Sequence, residues 1–405
     1  MKLLKIIYGL FEYSMNIKEI MEKSLFLTGA GATMEAGCKT SREMIADLEK
    51  NFGTENEKEA LSFLLSSLEY HSKWKSLQGD YFTYQSNIED LVVLLRRISE
   101  REYLLPYPIT GSWSDKLLLL ESKEPKIFSS LRKNIQNKLA EWLVIDKEDT
   151  KFLKPISDFF REVTDEEIIL DIFTLNYDLV FEKKFNSPPE TLVNIGFTSG
   201  SWVGFSDAKL SSHRINYYKL HGSFNWLKNK EDGSVILNDF EMANKNNYNQ
   251  SIIFGQGNKL LSVEPFISLI YEFKELLQEK DYYFIIGYSF YDPYINNLIF
   301  EALTKHPEKN KQLIIINPLN EFVKSLSPNP DEESIKVEYL KYISSIQTKS
   351  FLSELPEFNV TKISPSLVRL ERMKTGDFIK SYFYNRGEKF INLMEEIKEE
   401  KAGVF

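Results

Sequence analysis

The chain has 405 residues, 59 acidic against 50 basic, and a formal charge of −9. That length implies two or three domains, or one domain with large insertions, and an apolar content of 42% supports a packed core over disorder. The acidic balance argues against direct nucleic-acid binding, no apolar run is long enough to span a bilayer, and the single cysteine, Cys38, excludes an internal disulfide and a cysteine-built zinc site, which points to a cytoplasmic setting.

Residues 1–11 mix Lys2 and Lys5 with apolar side chains but lack a small-residue cleavage site. They read as part of an N-terminal amphipathic helix, residues 1–23, packing on the body or on a partner subunit. The apolar run 24–28 then ends in Gly29-Ala30-Gly31-Ala32-Thr33, and a helix-compatible segment follows at 40–50. This is the grammar of a buried strand feeding a phosphate-binding turn and a helix. Gly29 and Gly31 are expected to permit backbone angles closed to other residues and to let main-chain N–H groups approach a pyrophosphate. Thr33 adds a hydroxyl donor. The dinucleotide pattern G-x-G-x-x-G fails at Met34. Cys38 reads as a small buried residue.

From 51 to 164 strand signals are few and helical spacing recurs at 61–65, 87–95 and 135–144, with a loop at 106–114. This stretch reads as an inserted helical module. The α/β body, 24–50 and 165–327, resumes with strands at 168–174, 217–220 and 251–254, and a helix at 265–280. Two buried strands, 282–287 and 312–317, flank a helix at 294–305 as a βαβ unit. Residues 228–250 form a polar loop in which Asp232-Gly233 suits a hairpin turn. Beyond Pro328 lies a C-terminal extension, 328–405, closed by one helix at 377–401.

Four stretches end predicted strands, and ligands of open α/β sheets bind there. They are the glycine turn, Thr174-Leu175-Asn176-Tyr177-Asp178, Lys219-Leu220-His221-Gly222-Ser223, and Gly287-Tyr288-Ser289-Phe290-Tyr291-Asp292. Read singly, Asp178 and Asp292 cap helices and His221, one of four histidines, is structural. Read together, G-A-G-x-T, T-x-N-Y-D, K-L-H-G-S-x-x-W and G-Y-S-F-x-D resemble the sirtuin superfamily. They resemble in particular its zinc-free, NAD-hydrolysing members of bacterial antiphage defence. Asn87-Ile88-Glu89-Asp90-Leu91 is similar to the same group. The cysteine module of sirtuin deacylases and their P-x-F-R segment are both missing.

The resemblance implies an α/β, Rossmann-like parallel sheet with a large helical insertion and a C-terminal extension. It implies NAD as substrate without a metal, Asn176 and His221 as catalytic, and the cofactor held by Gly29, Ala30, Gly31, Thr33, Asp178, Gly287, Ser289, Phe290, Asp292 and Asn317. It implies an NAD glycohydrolase that depletes NAD on phage infection, a homo-oligomer, and a HerA-like ATPase or a short Argonaute as partner. A protein deacylase and a sensor that binds NAD or ADP-ribose without turnover are the alternatives.

Overall fold

The computed structural model describes residues 16–402 except 77–86, 100–108, 110, 112, 144, 165–166, 187–191, 209–211, 239–247, 253–263, 306–308, 310, 325, 327–329 and 349–366. The helix expected at 1–11, most of the loop at 106–114, part of the polar loop and the end of the strand at 251–254 lie outside the described residues.

Helix α1 (Ile17–Glu22), capped by the Asn16 side chain, leads into β1 (Ser24–Thr28). Two single-turn 3-10 helices, Ala30–Ala32 and Met34–Ala36, then precede α2 (Ser41–Asn51). The glycine turn therefore does not feed a helix directly: Gly37, at φ +82°, breaks the chain, and α2 starts afresh from a Thr40–Glu43 capping box. The module follows as α3 (Glu55–Ser76), α4 (Ile88–Ser99), α5 (Ser114–Lys123) and α6 (Ile127–Leu143). Next come α7 (Lys154–Glu162), β2 (Leu170–Thr174), α8 (Val180–Phe185), β3 (Val193–Asn194), β4 (Phe197–Thr198), β5 (Ser201–Trp202), β6 (Ile215–Lys219), β7 (Gly222–Asn229), β8 (Val235–Leu237) and β9 (Tyr248–Ile252). The chain closes with α9 (Phe266–Glu279), β10 (Tyr282–Ile286), α10 (Pro293–Lys305), β11 (Gln312–Ile316), α11 (Asn320–Lys324), α12 (Glu332–Thr348), β12 (Val368–Glu371), α13 (Thr375–Tyr382) and α14 (Glu388–Ala402).

Seven strands form one parallel sheet in the order β12-β11-β10-β1-β2-β6-β3. From β1 the chain winds outward through β2 and β6, then returns to the other side of β1 through β10 and β11. The switch point lies between β1 and β10, where open sheets form their crevice. Successive residues face opposite sides: Phe26, Ile172, Phe284 and Ile314 join one core with α7, α13 and α14. Leu25, Leu27, Tyr283 and Ile315 join the other with α9, α10 and α12. Both faces are covered, which is why these strands read as continuous apolar runs.

The module has its own core, but α2 belongs to it: Met44, Ile45 and Leu48 pack with Leu64, Leu91, Leu94 and Leu131. Tyr177 and Leu179, from the loop after β2, and Phe224, from the start of β7, enter the same cluster. The C-terminal extension is equally integrated. Its strand β12 pairs with β11, and Phe378, Tyr382, Phe390 and Met394 pack beneath the sheet. The single closing helix expected there is two, α13 and α14. Asn385, Arg386 and Gly387 all take positive φ and turn the chain, and a side chain on Gly387 would meet Ile17 at 2.6 Å.

The polar loop 228–250 is partly ordered as strand. Gly233, at φ +75°, makes the expected hairpin turn, and β7 pairs with both β8 and β9 in a five-stranded antiparallel sheet.

Candidate functional site

The site is built on the upper ends of β1, β2, β6 and β10. Gly29 has φ −114° and ψ −173°, an ordinary extended conformation, so the angle argument made from the sequence fails there. Proximity is the reason for glycine. A Cβ on Gly29 would meet Tyr288 Cα at 2.7 Å, and one on Gly31 would meet Gly287 Cα at 2.9 Å. Gly287 needs glycine twice over, with φ +59° and an ideal Cβ position 2.3 Å from the Ala32 nitrogen. The two turns are pressed backbone to backbone. Their amides are used for this: Gly29 N donates to Ile286 O and Gly31 N donates to Gly287 O, each at 2.9 Å. Ala30 and Ser289, one on each turn, are the exposed residues of this junction.

Asn176 follows β2 and is buried. Its Nδ2 donates to Gly29 O at 2.9 Å and to Thr33 Oγ1 at 3.2 Å, so the carboxamide is pinned across the glycine turn with Oδ1 left over. The Thr33 hydroxyl donates to Asp178 Oδ2 at 2.8 Å, and Asp178 Oδ1 accepts from Val180 N at 3.0 Å. Asp178 thus both supports the start of α8 and anchors Thr33; its two oxygens are spent within the protein. Lys219, fully buried, donates to the Asp178 carbonyl and pairs with Glu182 at 2.8 Å. Burial raises the Glu182 carboxyl above its ordinary range.

His221 sits in the turn between β6 and β7, only 3% exposed. Its Nε2 lies 3.2 Å from Asp292 Oδ2, while its Nδ1 is buried without a hydrogen-bond partner among the described residues. The other Asp292 oxygen accepts from Tyr294 N at 3.0 Å and Ile295 N at 3.4 Å, capping α10. Phe290 is held at φ +56°, a strained conformation for a bulky residue. Its carbonyl accepts from Asn296 Nδ2 at 2.7 Å, and Asn296 Oδ1 accepts from Tyr288 at 2.8 Å. Burial keeps the Tyr288 phenol protonated far above its ordinary range.

The module reaches the same place. Tyr177 donates to Glu89 Oε1 at 3.2 Å, and Tyr291 donates to Asp90 Oδ2 at 2.6 Å. The Tyr177 ring lies 6.1 Å from that of His221. Asn87 caps α4 through Asp90 N at 2.9 Å. Tyr177, Tyr288, Tyr291, Glu89, Asp90 and Asn296 were not singled out from the sequence, although the segment 87–91 had been noted.

Contacts therefore bring Gly29, Ala30, Gly31, Thr33, Asn176, Asp178, Gly287, Ser289, Phe290 and Asp292 into one cluster, with His221 joined through Asp292. Asn317 stands at the top of β11, where its Oδ1 accepts from Leu319 N at 2.9 Å. Its neighbour Ile316 accepts from Gly287 N at 3.2 Å, but among the described residues no hydrogen bond joins the Asn317 side chain to the glycine turn.

Residues 171–342 match the SIR2-like domain family. The matched region holds Asn176, His221, Asp292 and Asn317; the glycine turn precedes it and is attached to it through Asn176 and Gly287. Among solved structures, a Sir2 homologue in complex with NAD is similar at a TM-score of 0.39 and 13% identity, over 96% of this chain and 94% of that one. A Sir2 homologue mutant with 2′-O-acetyl-ADP-ribose gives 0.39 and 12%, over 94% and 95%. A complex of Sir2, a p53 peptide and NAD+ gives 0.36 and 11%, over 94% and 96%. No functionally curated protein matches the chain. Among the described residues no helix is long and apolar enough to cross a membrane, and no group of three or more His, Cys, Asp or Glu is arranged to hold a metal ion.

Proposed function

We propose that this protein is an NAD glycohydrolase, which cleaves the nicotinamide–ribose bond to give ADP-ribose and nicotinamide. The observation that carries this reading is that the upper end of the sheet holds both an amide pinned across the switch-point turn, Asn176, and a buried imidazole held by a carboxylate, His221 on Asp292. Ala30 and Ser289, exposed on the two opposed turns, flank the diphosphate, and Asn317 lies on the adenosine side.

The chemistry asks little of the protein beyond placement. The C1′–N bond breaks with its electron pair passing to nicotinamide, whose positive charge is neutralised, so no strong acid is required. A water oxygen forms the new bond to C1′. Asn176 Oδ1 orients that water or a ribose hydroxyl, and the His221 imidazole takes the proton and passes it to solvent. Stabilisation of an oxocarbenium-like centre comes from the fixed dipoles at the strand ends.

The biological role follows from the resemblance to defence proteins: depletion of NAD on phage infection, with a HerA-like ATPase, a short Argonaute or further copies of this chain as partners. The deep burial of His221 and the tyrosine ties to α4 suit an enzyme that rests until triggered. Against a deacylase stands the single Cys38, which lies in the core of the sheet.

The test is NAD turnover by purified protein, alone and with its genomic neighbour, for the parent and for Asn176→Ala and His221→Ala. Turnover in the parent and loss in both variants supports the assignment; parental rates in both variants overturn it.

A further inference from the structure

Resting on that reading, we propose that Asp292 is the positioning residue for His221: it holds the imidazole with its proton on Nε2 and presents Nδ1 as the bare nitrogen that accepts the proton during cleavage. A carboxylate can only accept hydrogen bonds, so the ring nitrogen facing it at 3.2 Å must be the protonated one. The opposite tautomer would set the Nε2 lone pair against Asp292 Oδ2. Both side chains are buried, so water does not screen that repulsion.

Asp292 cannot easily turn away. Its Oδ1 is bound by the amides of Tyr294 and Ile295, and its own N–H donates to the Tyr288 hydroxyl at 3.2 Å. That hydroxyl is in turn fixed by Asn296. The cap of α10 thus aims the carboxylate. The ring itself is confined by Tyr177, which Glu89 tethers.

The counterpart is Nδ1, buried and without a partner among the described residues. Buried polar atoms are rarely left so, and such an atom calls for an explanation. A nitrogen kept as an unused acceptor suits a group whose partner is the reacting water or ribose hydroxyl. Asp292 therefore acts through His221 and does not itself touch NAD, which changes the role assigned to it from the sequence.

The test uses the full chain with histidine labelled at both ring nitrogens, read by nitrogen NMR in the resting protein, with His221 assigned from the spectrum of His221→Ala. The expected result is an Nε2–H tautomer for His221. Asp292→Asn keeps the oxygen that caps α10 but offers an amide proton to the ring, so the population shifts toward Nδ1–H. In the same variant kcat for NAD cleavage falls by about 100-fold or more while KM holds within about twofold. An Nδ1–H tautomer in the parent, or an Asp292→Asn protein with parental tautomer and parental kcat, overturns the proposal. The tautomer is read without substrate. If the parent never cleaves NAD, the glycohydrolase reading fails while the spectrum still decides the role of Asp292.

Discussion

The two ends of the same parallel sheet treat buried polar groups in opposite ways. At the lower end, Asp171 near the start of β2 pairs with Lys280 at 2.8 Å and accepts from Asn216 at 3.0 Å, while Lys280 also donates to Glu22 O at 2.8 Å. Lys311 donates to Leu277 O and Gln278 O, both at 3.0 Å, and so closes the last turn of α9. Among the described residues, none of these three side chains leaves a buried atom without a partner. At the upper end, Asn176, Asp178, Thr33 and Asp292 are also tied to one another or to backbone, yet His221 Nδ1 remains unpartnered. Saturated networks hold a fold; a network that leaves acceptors open, Asn176 Oδ1 and His221 Nδ1 among them, is arranged around something still to arrive.

Substitutions can break that contrast. Asn176→Ala and His221→Ala should each lower NAD cleavage by about 10²–10⁴-fold with little loss of stability, read from turnover beside a urea melt. Asp171→Ala should do the reverse: it strands the Lys280 charge, costs about 3–5 kcal/mol of stability, and leaves turnover per folded molecule unchanged. A urea midpoint close to the parent's would show that the lower network is less saturated than it looks. Gly31→Ala should affect both properties, because its Cβ falls 2.9 Å from Gly287 Cα and O. Forcing the two turns apart should cost about 1–3 kcal/mol and disturb Asn176, whose amide spans the turn.

The smallest effect concerns Cys38. Burial pushes its thiol up to about 12 from 9.0, so the native thiol is protonated at pH 8 and alkylates far more slowly than the unfolded one. The sign of the linkage follows. The unfolded chain releases this proton near pH 9 and the folded chain holds it to about 12, so stability falls across that window. Cys38→Ala should flatten the slope in melts taken from pH 9 upward.

Much of the fold was legible in the sequence because its strands are buried on both faces and bounded by glycine or polar turns. β1, β2, β6, β10 and β11 fall at or within two residues of their expected positions, and the helices at 41–51, 266–279 and 293–305 nearly so. β12 was missed because it is an edge strand of four residues, Val-Arg-Leu-Glu, with no apolar run. The break between α13 and α14 was missed because Asn385-Arg386-Gly387 interrupts an otherwise helical periodicity only through its backbone angles. Asp178 and Asp292 were read as caps; Asp292 is one, whereas the N-cap position of α8 falls to Leu179 and Asp178 only accepts from Val180 N beside it. Their second oxygens, bound to Thr33 and His221, show what else they do.

By itself the sequence determined where the buried strands of the α/β sheet run and which residues stand at their upper ends, since apolar periodicity and glycine placement are local properties of the chain. The tertiary structure alone decided which of those residues meet. Thr33 finds Asp178 across 145 positions, His221 finds Asp292 across 71, and Tyr291 finds Asp90 across 201. Such partners are chosen by strand order and by the docking of the helical module. A hydrogen bond depends on where two atoms stand in space, and no periodicity along the chain encodes that separation.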